Sequence, residues 1–404
     1  MIRDRHSVTL LAALTAASVL VAGDLRSQPP TLAQTAPEPF AATSREPVSY
    51  GWLISPERPL EHEPSEPRAD SKHYWLEASA TELATGVDLH TTAPGAIVRL
   101  QPISGSVRSW AEELATAPEA LVLTTPGGAT LNDGTGFELA LSPEQLRASE
   151  VPFDGRTTVF RLAPELGAGT FRLAAPDLAG GGAYRIHLFD RGSGLALALY
   201  AERAHYLDGE HLWARARFEG VTGAGIERLR VRVAAPNGRR YRVASEERGG
   251  EFFLRWPVDA SGAAPGLWEL EAEALGAAGD QTVVRFGRLP FSVAYPTARL
   301  AGRPARVPAT SPERLRVRVP IEVSVAGRYE VRAVLRGGAG GLAPQSVSQS
   351  AAWLEPGAAE LVLDFPLPLG AGDWTVLQLT GLELRDQSRL GVLGRQRWPV
   401  VLRR

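Results

Sequence analysis

Three stretches of the chain share one arrangement of apolar and polar positions: Gly182-Ala-Tyr-Arg-Ile-His-Leu188, Gly266-Leu-Trp-Glu-Leu-Glu-Ala272 and Gly372-Asp-Trp-Thr-Val-Leu-Gln378. In each, a Gly ends a turn, an aromatic residue enters two positions later, and apolar then alternates with polar. This period of two belongs to a strand with one buried face. A turn and a closing apolar run follow each copy, at 195–200, 289–295 and 395–402. The pattern predicts an all-β chain of three tandem immunoglobulin-like β-sandwich domains, the first larger and less regular, with short helices.

The first domain, 71–202, reads as strands at 97–100, 121–123, 137–141, 159–162, 170–173, 184–189 and 195–200, with short helices at 110–115 and 143–148. Ser142 with Gln145 three residues on has the spacing of a capping box for the second helix. The middle domain, 203–297, has strands at 211–218, 229–234, 239–244, 251–256, 268–275 and 283–293. Its register follows from keeping Leu229, Val231, Val233, Tyr241 and Val243 on one face. A two-residue Asn237-Gly238 loop would turn Tyr241 outward, whereas a three-residue Pro236-Asn237-Gly238 loop with Gly238 in a bulge pairs 233 with 241. The third domain, 298–404, repeats the hexapeptide Arg-Leu-Arg-Val-Arg-Val of 228–233 at 314–319 and continues through 321–325, 329–335, 352–354, 360–365, 374–379 and 398–402.

Ahead of these domains, residues 1–23 read as a secretory signal peptide: Arg3, Asp4 and Arg5, a Leu- and Ala-rich run at 8–21, then Ala22 and Gly23. The run is too short for a comfortable membrane span, so no stable span is expected after cleavage. Residues 24–70, with nine prolines, read as a linker. Within it, Tyr50-Gly-Trp52-Leu53-Ile54 is either a segment that docks on the first domain or a short apolar patch in disordered chain. With no Cys there are no disulfides, and each domain rests on its own core, for which 44% apolar residues provide material. Loss of 1–23 moves the net charge from −2 to −3, which argues against a nucleic-acid protein.

The segments Leu89-His-Thr-Thr-Ala-Pro-Gly-Ala-Ile-Val-Arg-Leu-Gln-Pro102 and Leu384-Arg-Asp-Gln-Ser-Arg-Leu-Gly-Val-Leu-Gly-Arg-Gln396 resemble a group of exported proteobacterial proteins of unknown function with an immunoglobulin-like C-terminal part. The resemblance spans residues 74–404 and implies compartment and fold. It brings no catalytic residues with it.

Chemical motifs are sparse. No HExxH pair or Gly-x-Ser-x-Gly elbow occurs, and no thiol is present. His205, Asp208, Glu210 and His211 cluster within seven residues, but Asp208-Gly209 reads as a turn and His211 as the start of a strand, so no metal is expected. Asn132-Asp-Gly-Thr-Gly136 lacks the later acidic ligands of a calcium loop and reads as a hairpin turn, and Gly337-Gly-Ala-Gly-Gly341 precedes no helix. Of nine tryptophans, Trp213, Trp268 and Trp374 fall on apolar parity and are expected in cores; Trp52, Trp110, Trp256, Trp353 and Trp398 are undetermined. The best site candidate is the polar face of the middle domain. The bulged hairpin puts Arg242 opposite Arg232 and Arg240 opposite Ala234, and the strand at 268–275 offers Glu269, Glu271 and Glu273 as neighbours. That face is either an Arg/Glu ladder or an anion or partner patch of Arg230, Arg232, Arg240 and Arg242. The expectation is an exported, non-enzymatic binding or structural protein of the envelope, periplasmic, surface-attached or secreted, without cofactor, whose partner is an envelope protein or a glycan. The rival reading is a polysaccharide- or peptidoglycan-acting enzyme or accessory module centred on the first domain.

Overall fold

The computed structural model describes residues 31–40, 43–55, 66–103, 116–148, 156–178, 182–263, 265–308, 311–337, 343–368, 376–396 and 398–402. These residues form three sandwiches of two antiparallel-dominated sheets each. The expected signal segment at 1–23, the expected helix at 110–115, Trp110, Trp374 and most of the glycine loop at 337–341 lie outside the described residues.

In the N-terminal sandwich one sheet runs His73–Ser79, Ala183–Phe189, Ile97–Ile103, Thr158–Leu162, Phe137–Leu141, and the other Val87–Thr91, Gly169–Ala174, Val122–Thr124, Thr130–Leu131. Phe160, Phe171, Tyr184, Leu89 and Leu100 fill the space between them. Both short helices carry capping boxes: Ser142 with Gln145 before Pro143–Ala148, as the spacing predicts, and Ser79 with Glu82 before Ala80–Thr85. The Asn132–Gly136 turn is not a hairpin. It carries the chain from Thr130–Leu131 in one sheet to Phe137–Leu141 in the other.

The middle sandwich pairs the sheet Ser245–Arg248, Glu251–Pro257, His211–Glu219, Ala196–Ala201, Arg68–Ser71 with the sheet His205–Leu207, Gln281–Ala294, Leu267–Ala278, Gly225–Ala234, Arg240–Val243. Trp268 stands at its centre with Trp256, Tyr241 and Phe291 at ring distances of 5.7, 6.2 and 6.3 Å. The 195–200 run, expected to close the first domain at 202, is strand Ala196–Ala201 of this sandwich: Leu197 pairs with Phe218 on one side and Ser71 on the other. All six of its residues are buried, so its own pattern carries no mark of which core it joins. Trp213 is also corrected. It is 48% exposed, because Leu212, Ala214, Ala216 and Phe218 set the core parity of its strand. The first two copies of the Gly-x-aromatic phrase share a glycine conformation, Gly182 and Gly266 both at φ +149°, a region that favours glycine; Gly372 of the third lies outside the described residues.

In the C-terminal sandwich, Arg314–Val323 is one strand across Pro320. It pairs with Gly357–Pro366 along its full length, while its other neighbour is split into Ala298–Leu300 and Ala305–Val307, with Pro320 at the gap. The second sheet runs Val48–Leu53, Ala343–Leu354, Gly327–Gly337, Leu377–Asp386, with Gly391–Arg395 and Val400–Leu402 along the last. Its first strand comes from the Pro-rich segment. Tyr50-Gly-Trp52-Leu53 therefore docks on the C-terminal sandwich and not on the first domain, with Trp52 opposite Val347 and Tyr50 opposite Gln349. The small residues Gly51, Ser346, Ser348 and Ser350 let this edge close onto the other sheet. A Cβ on Gly51 would run into the Asp364 carbonyl, and Ser348 Oγ both donates to the Tyr50 carbonyl (3.2 Å) and accepts from the Asp364 amide (2.9 Å). Farther upstream, Ala33 donates to Pro296, Phe40 to Ser388, and Arg389 Nε to Pro37, while Arg45 lies 4.5 Å over the Trp353 ring.

The sandwiches meet along Gln281–Ala294. On its core parity, between Val283 and Leu289, stands Arg285, fully buried. Its Nη2 donates to Asp190 Oδ2 (2.8 Å), Thr92 Oγ1 (2.8 Å) and Ser193 Oγ (3.1 Å), and its Nη1 to the Val284 carbonyl (2.9 Å). Burial pulls the guanidinium below its ordinary value, and the Asp190 carboxylate opposes that. One residue on, Phe286 enters the core of the N-terminal sandwich. Asp190→Ala, which leaves a buried cation uncompensated, is expected to cost about 3–5 kcal/mol in urea denaturation, and the pairwise change Asp190→Leu with Arg285→Met clearly less.

Candidate interaction face

The outer face of the sheet carrying Trp268 is built by alternation. Because Leu229, Val231, Val233, Tyr241 and Val243 all pack on the core, their neighbours point to solvent. The hairpin between them has the expected bulge: Val233 pairs with Tyr241, Arg232 with Arg242 and Ala234 with Arg240, with Gly238 at φ +82°. On the other side Arg230 lies opposite Glu273, Arg232 opposite Glu271 and Ala234 opposite Glu269. The next strand adds Arg288 opposite Glu271. One row across four strands therefore reads Arg242, Arg232, Glu271, Arg288.

The charges on this face are unequal. Arg228, Arg230, Arg232, Arg240, Arg242 and Arg288 are exposed, against Glu269, Glu271 and Glu273. Glu271, 6% exposed, is held by Arg240 Nε (3.3 Å) and Arg288 Nε (3.8 Å); Arg288 also reaches Glu269, and Arg230 reaches Glu273, each at 3.8 Å. Both Glu271 oxygens face other arginines. Among the described residues, Arg232 and Arg242 have no carboxylate within salt-bridge distance although they face each other. The face is a ladder at Arg230 and Arg240 and a surplus of cations at Arg232 and Arg242. Arg288 was missed from sequence although its outward parity was available. Replacing Arg242 with Gln removes a like-charge pair and should raise stability by about 0.2–0.5 kcal/mol at low salt, with no gain at 0.5 M salt in the same denaturation assay.

The residues of the 205–211 cluster point apart. His205 Nδ1 bonds Ser292 Oγ (2.7 Å), Asp208 Oδ1 accepts from the Ala260 amide (2.7 Å), Glu210 Oε2 accepts from the Leu207 amide (2.9 Å), and His211 Nε2 accepts from Arg255 (3.1 Å). Gly209 at φ +85° makes the expected turn. Of the remaining tryptophans, Trp256 is buried, Trp353 half-buried under Arg45, and Trp52 and Trp398 exposed. No helix among the described residues is long and apolar enough to cross a membrane.

A crystal structure of a DUF4785 family protein from Legionella pneumophila is similar to this chain, with a TM-score of 0.71 at 26% identity over 92% of this chain and 98% of that one. Alpha-2-macroglobulin of Escherichia coli in its native conformation matches at TM-score 0.30 and 13% identity, over 83% of this chain and 20% of that one. A Salmonella alpha-2-macroglobulin mutant matches at 0.29 and 14%, over 83% and 21%. No curated protein matches. Two models of one family, the N-terminal and C-terminal domains of a domain of unknown function, match residues 39–190 and 297–403, ending and starting where the chain leaves the N-terminal sandwich and enters the C-terminal one; the protein belongs to the DUF4785 family.

Proposed function

We propose that this is an exported, non-enzymatic binding protein of the cell envelope that engages an acidic partner through the outer face of its middle sandwich. The observation that carries the reading is the facing pair Arg232 and Arg242. A sheet does not gain from like charges set opposite each other, so their presence without carboxylate partners is better explained by a ligand than by stability. The neighbouring Arg230, Arg240 and Arg288 would widen the positive field, while Glu269, Glu271 and Glu273 hold these side chains extended and in place. The ligand class is a polyanion of the envelope, such as the phosphorylated sugars of lipopolysaccharide or an acidic protein surface. Export rests on the Leu- and Ala-rich run at 8–21 and the small residues after it.

Each half of the reading has its own measurement. Terminal sequencing of the protein recovered from its native host is expected to find an N-terminus near Asp24, and recovery of intact Met1 in the inner membrane would contradict export. Titration of the mature chain with lipopolysaccharide is expected to show salt-sensitive binding that Arg232→Ala with Arg242→Ala weakens on the order of tenfold, with a shallower salt dependence. Binding unchanged in that variant, or absent at 50 mM salt, removes the anion reading and leaves the face as a stabilising ladder.

A further inference from the structure

The outer face of the second C-terminal sheet carries another set of aromatic and cationic side chains. Directly paired residues of a sheet share a face, so a row can be followed from strand to strand. Tyr50 pairs with Gln349, Gln349 with Arg332, Arg332 with Glu383, and Glu383 with Arg395. The next row reads Trp52, Val347, Val334, Thr380. Both rows face away from the core, because Val331, Ala333 and Leu335 hold the inner parity of the strand they cross. Four strand intervals separate Tyr50 from Arg395, about 19 Å at the usual spacing.

The two ends of this face differ. On the outer strand Tyr50 is 57% exposed and Trp52 46%, two residues apart on one side, so their rings present adjoining apolar surface to water. At the other end three guanidiniums share one carboxylate. Buried Glu383 takes Arg385 Nε and Arg332 Nη2 (3.1 Å) on one oxygen and Arg395 Nε on the other. Among the described residues these arginines have no other carboxylate within salt-bridge distance, and the terminal nitrogens of Arg385 and Arg395 have no acceptor. Between the two ends, the side-chain amide of Gln349 and the hydroxyl of Thr380 also have no partner among the described residues. The upstream segment covers only the neighbouring part of the face, where Arg328 donates to the carbonyls of Ser44 and Glu46 and Arg45 lies over Trp353.

We propose that this face is a binding site for an acidic polysaccharide, a glycan whose sugars carry carboxylates along the chain. Flat apolar rings stack on the C–H faces of sugars, guanidinium forks take carboxylates in bidentate fashion, and an amide between them can both donate to and accept from hydroxyls. The occupant follows from the layout of the face. Arg332 and Arg395 lie two strand intervals apart, about 10 Å, so the surplus charge suits single charges spaced along a chain better than one phosphate. An apolar peptide would leave the guanidiniums unpaired, and an acidic peptide would leave the rings in water. Glu383 holds the three guanidiniums extended, so little side-chain freedom is lost on binding. The site is separate from Arg232 and Arg242 of the middle sandwich and stands whether or not that face binds a polyanion.

Calorimetric titration of the full chain with alginate oligosaccharides, short chains of uronic acids, is expected to show binding at low salt that weakens at high salt, and none with neutral maltooligosaccharides. Tyr50→Ser with Trp52→Ser is expected to weaken it on the order of tenfold at unchanged salt dependence, and Arg395→Gln to weaken it and flatten that dependence. Arg232→Ala with Arg242→Ala is expected to leave it unchanged. No binding of alginate at low salt, equal binding of the neutral sugar, or full binding by the aromatic variant overturns the site. Loss of binding in the Arg232 and Arg242 variant also overturns it and assigns the glycan to the middle sandwich. Should the substitutions loosen the edge strand, hydrogen exchange of the wild-type chain decides: protection by alginate in 48–53 and 377–395 supports the site, and protection elsewhere or nowhere overturns it.

Discussion

The buried contact of Arg285 with Asp190 constrains everything built around it. A guanidinium at a core-parity position of a long strand cannot be left without partners, and the side-chain acceptors that satisfy it, Asp190, Thr92 and Ser193, come from the N-terminal sandwich or the link that leaves it. The strand that carries it is therefore shared. Its first half gives Arg285 and Phe286 to the N-terminal sandwich, and its core parity gives Val283, Leu289 and Phe291 to the middle one. Its end brings Ala294 against the C-terminal sandwich, where a Cβ on Gly391 would collide with it. The packing demands of three cores meet on fourteen residues, Gln281–Ala294. Arg288 of the charged face lies on the same strand, and His73 and Trp75 of the N-terminal sandwich meet its Phe286.

The second constraint is the open edge of the C-terminal sheet. An unpaired strand edge is a template for wrong pairing, and here Val48–Leu53 covers it. The segment that precedes the N-terminal sandwich is thus a structural part of the C-terminal one, and the upstream contacts of Ala33, Pro37 and Phe40 extend that attachment. The edge has moved outward rather than vanished, and it now carries the exposed Tyr50 and Trp52.

Alternation was legible wherever one face is buried and the other wet. The register of the Gly225–Ala234 and Arg240–Val243 hairpin, the bulge at Gly238 and the outward rows of Arg and Glu all follow from keeping Leu229, Val231 and Val233 inside. Legibility failed where that contrast is missing. Ala196–Ala201 is buried on both faces, and nothing in it says that its partners are Phe218 and Ser71 rather than residues of the first domain. Trp213 misled because alanines set the core side of its strand. Arg285 did leave a mark, a charge on apolar parity within 283–291, and that mark was the signal of the junction. The pairing of Val48–Leu53 with Ala343–Leu354 had no local signature, since six residues of alternating strand fit any open edge.

Because one strand serves the N-terminal and middle cores, these two sandwiches should not melt independently. Scanning calorimetry of the chain at pH 7.5, with tryptophan emission followed in parallel, tests this most directly. The account predicts a single transition for both sandwiches, in which the calorimetric and van't Hoff enthalpies of that transition agree. A separate, earlier transition of the N-terminal sandwich, with the emission of buried Trp256 and Trp268 unchanged across it, would contradict it.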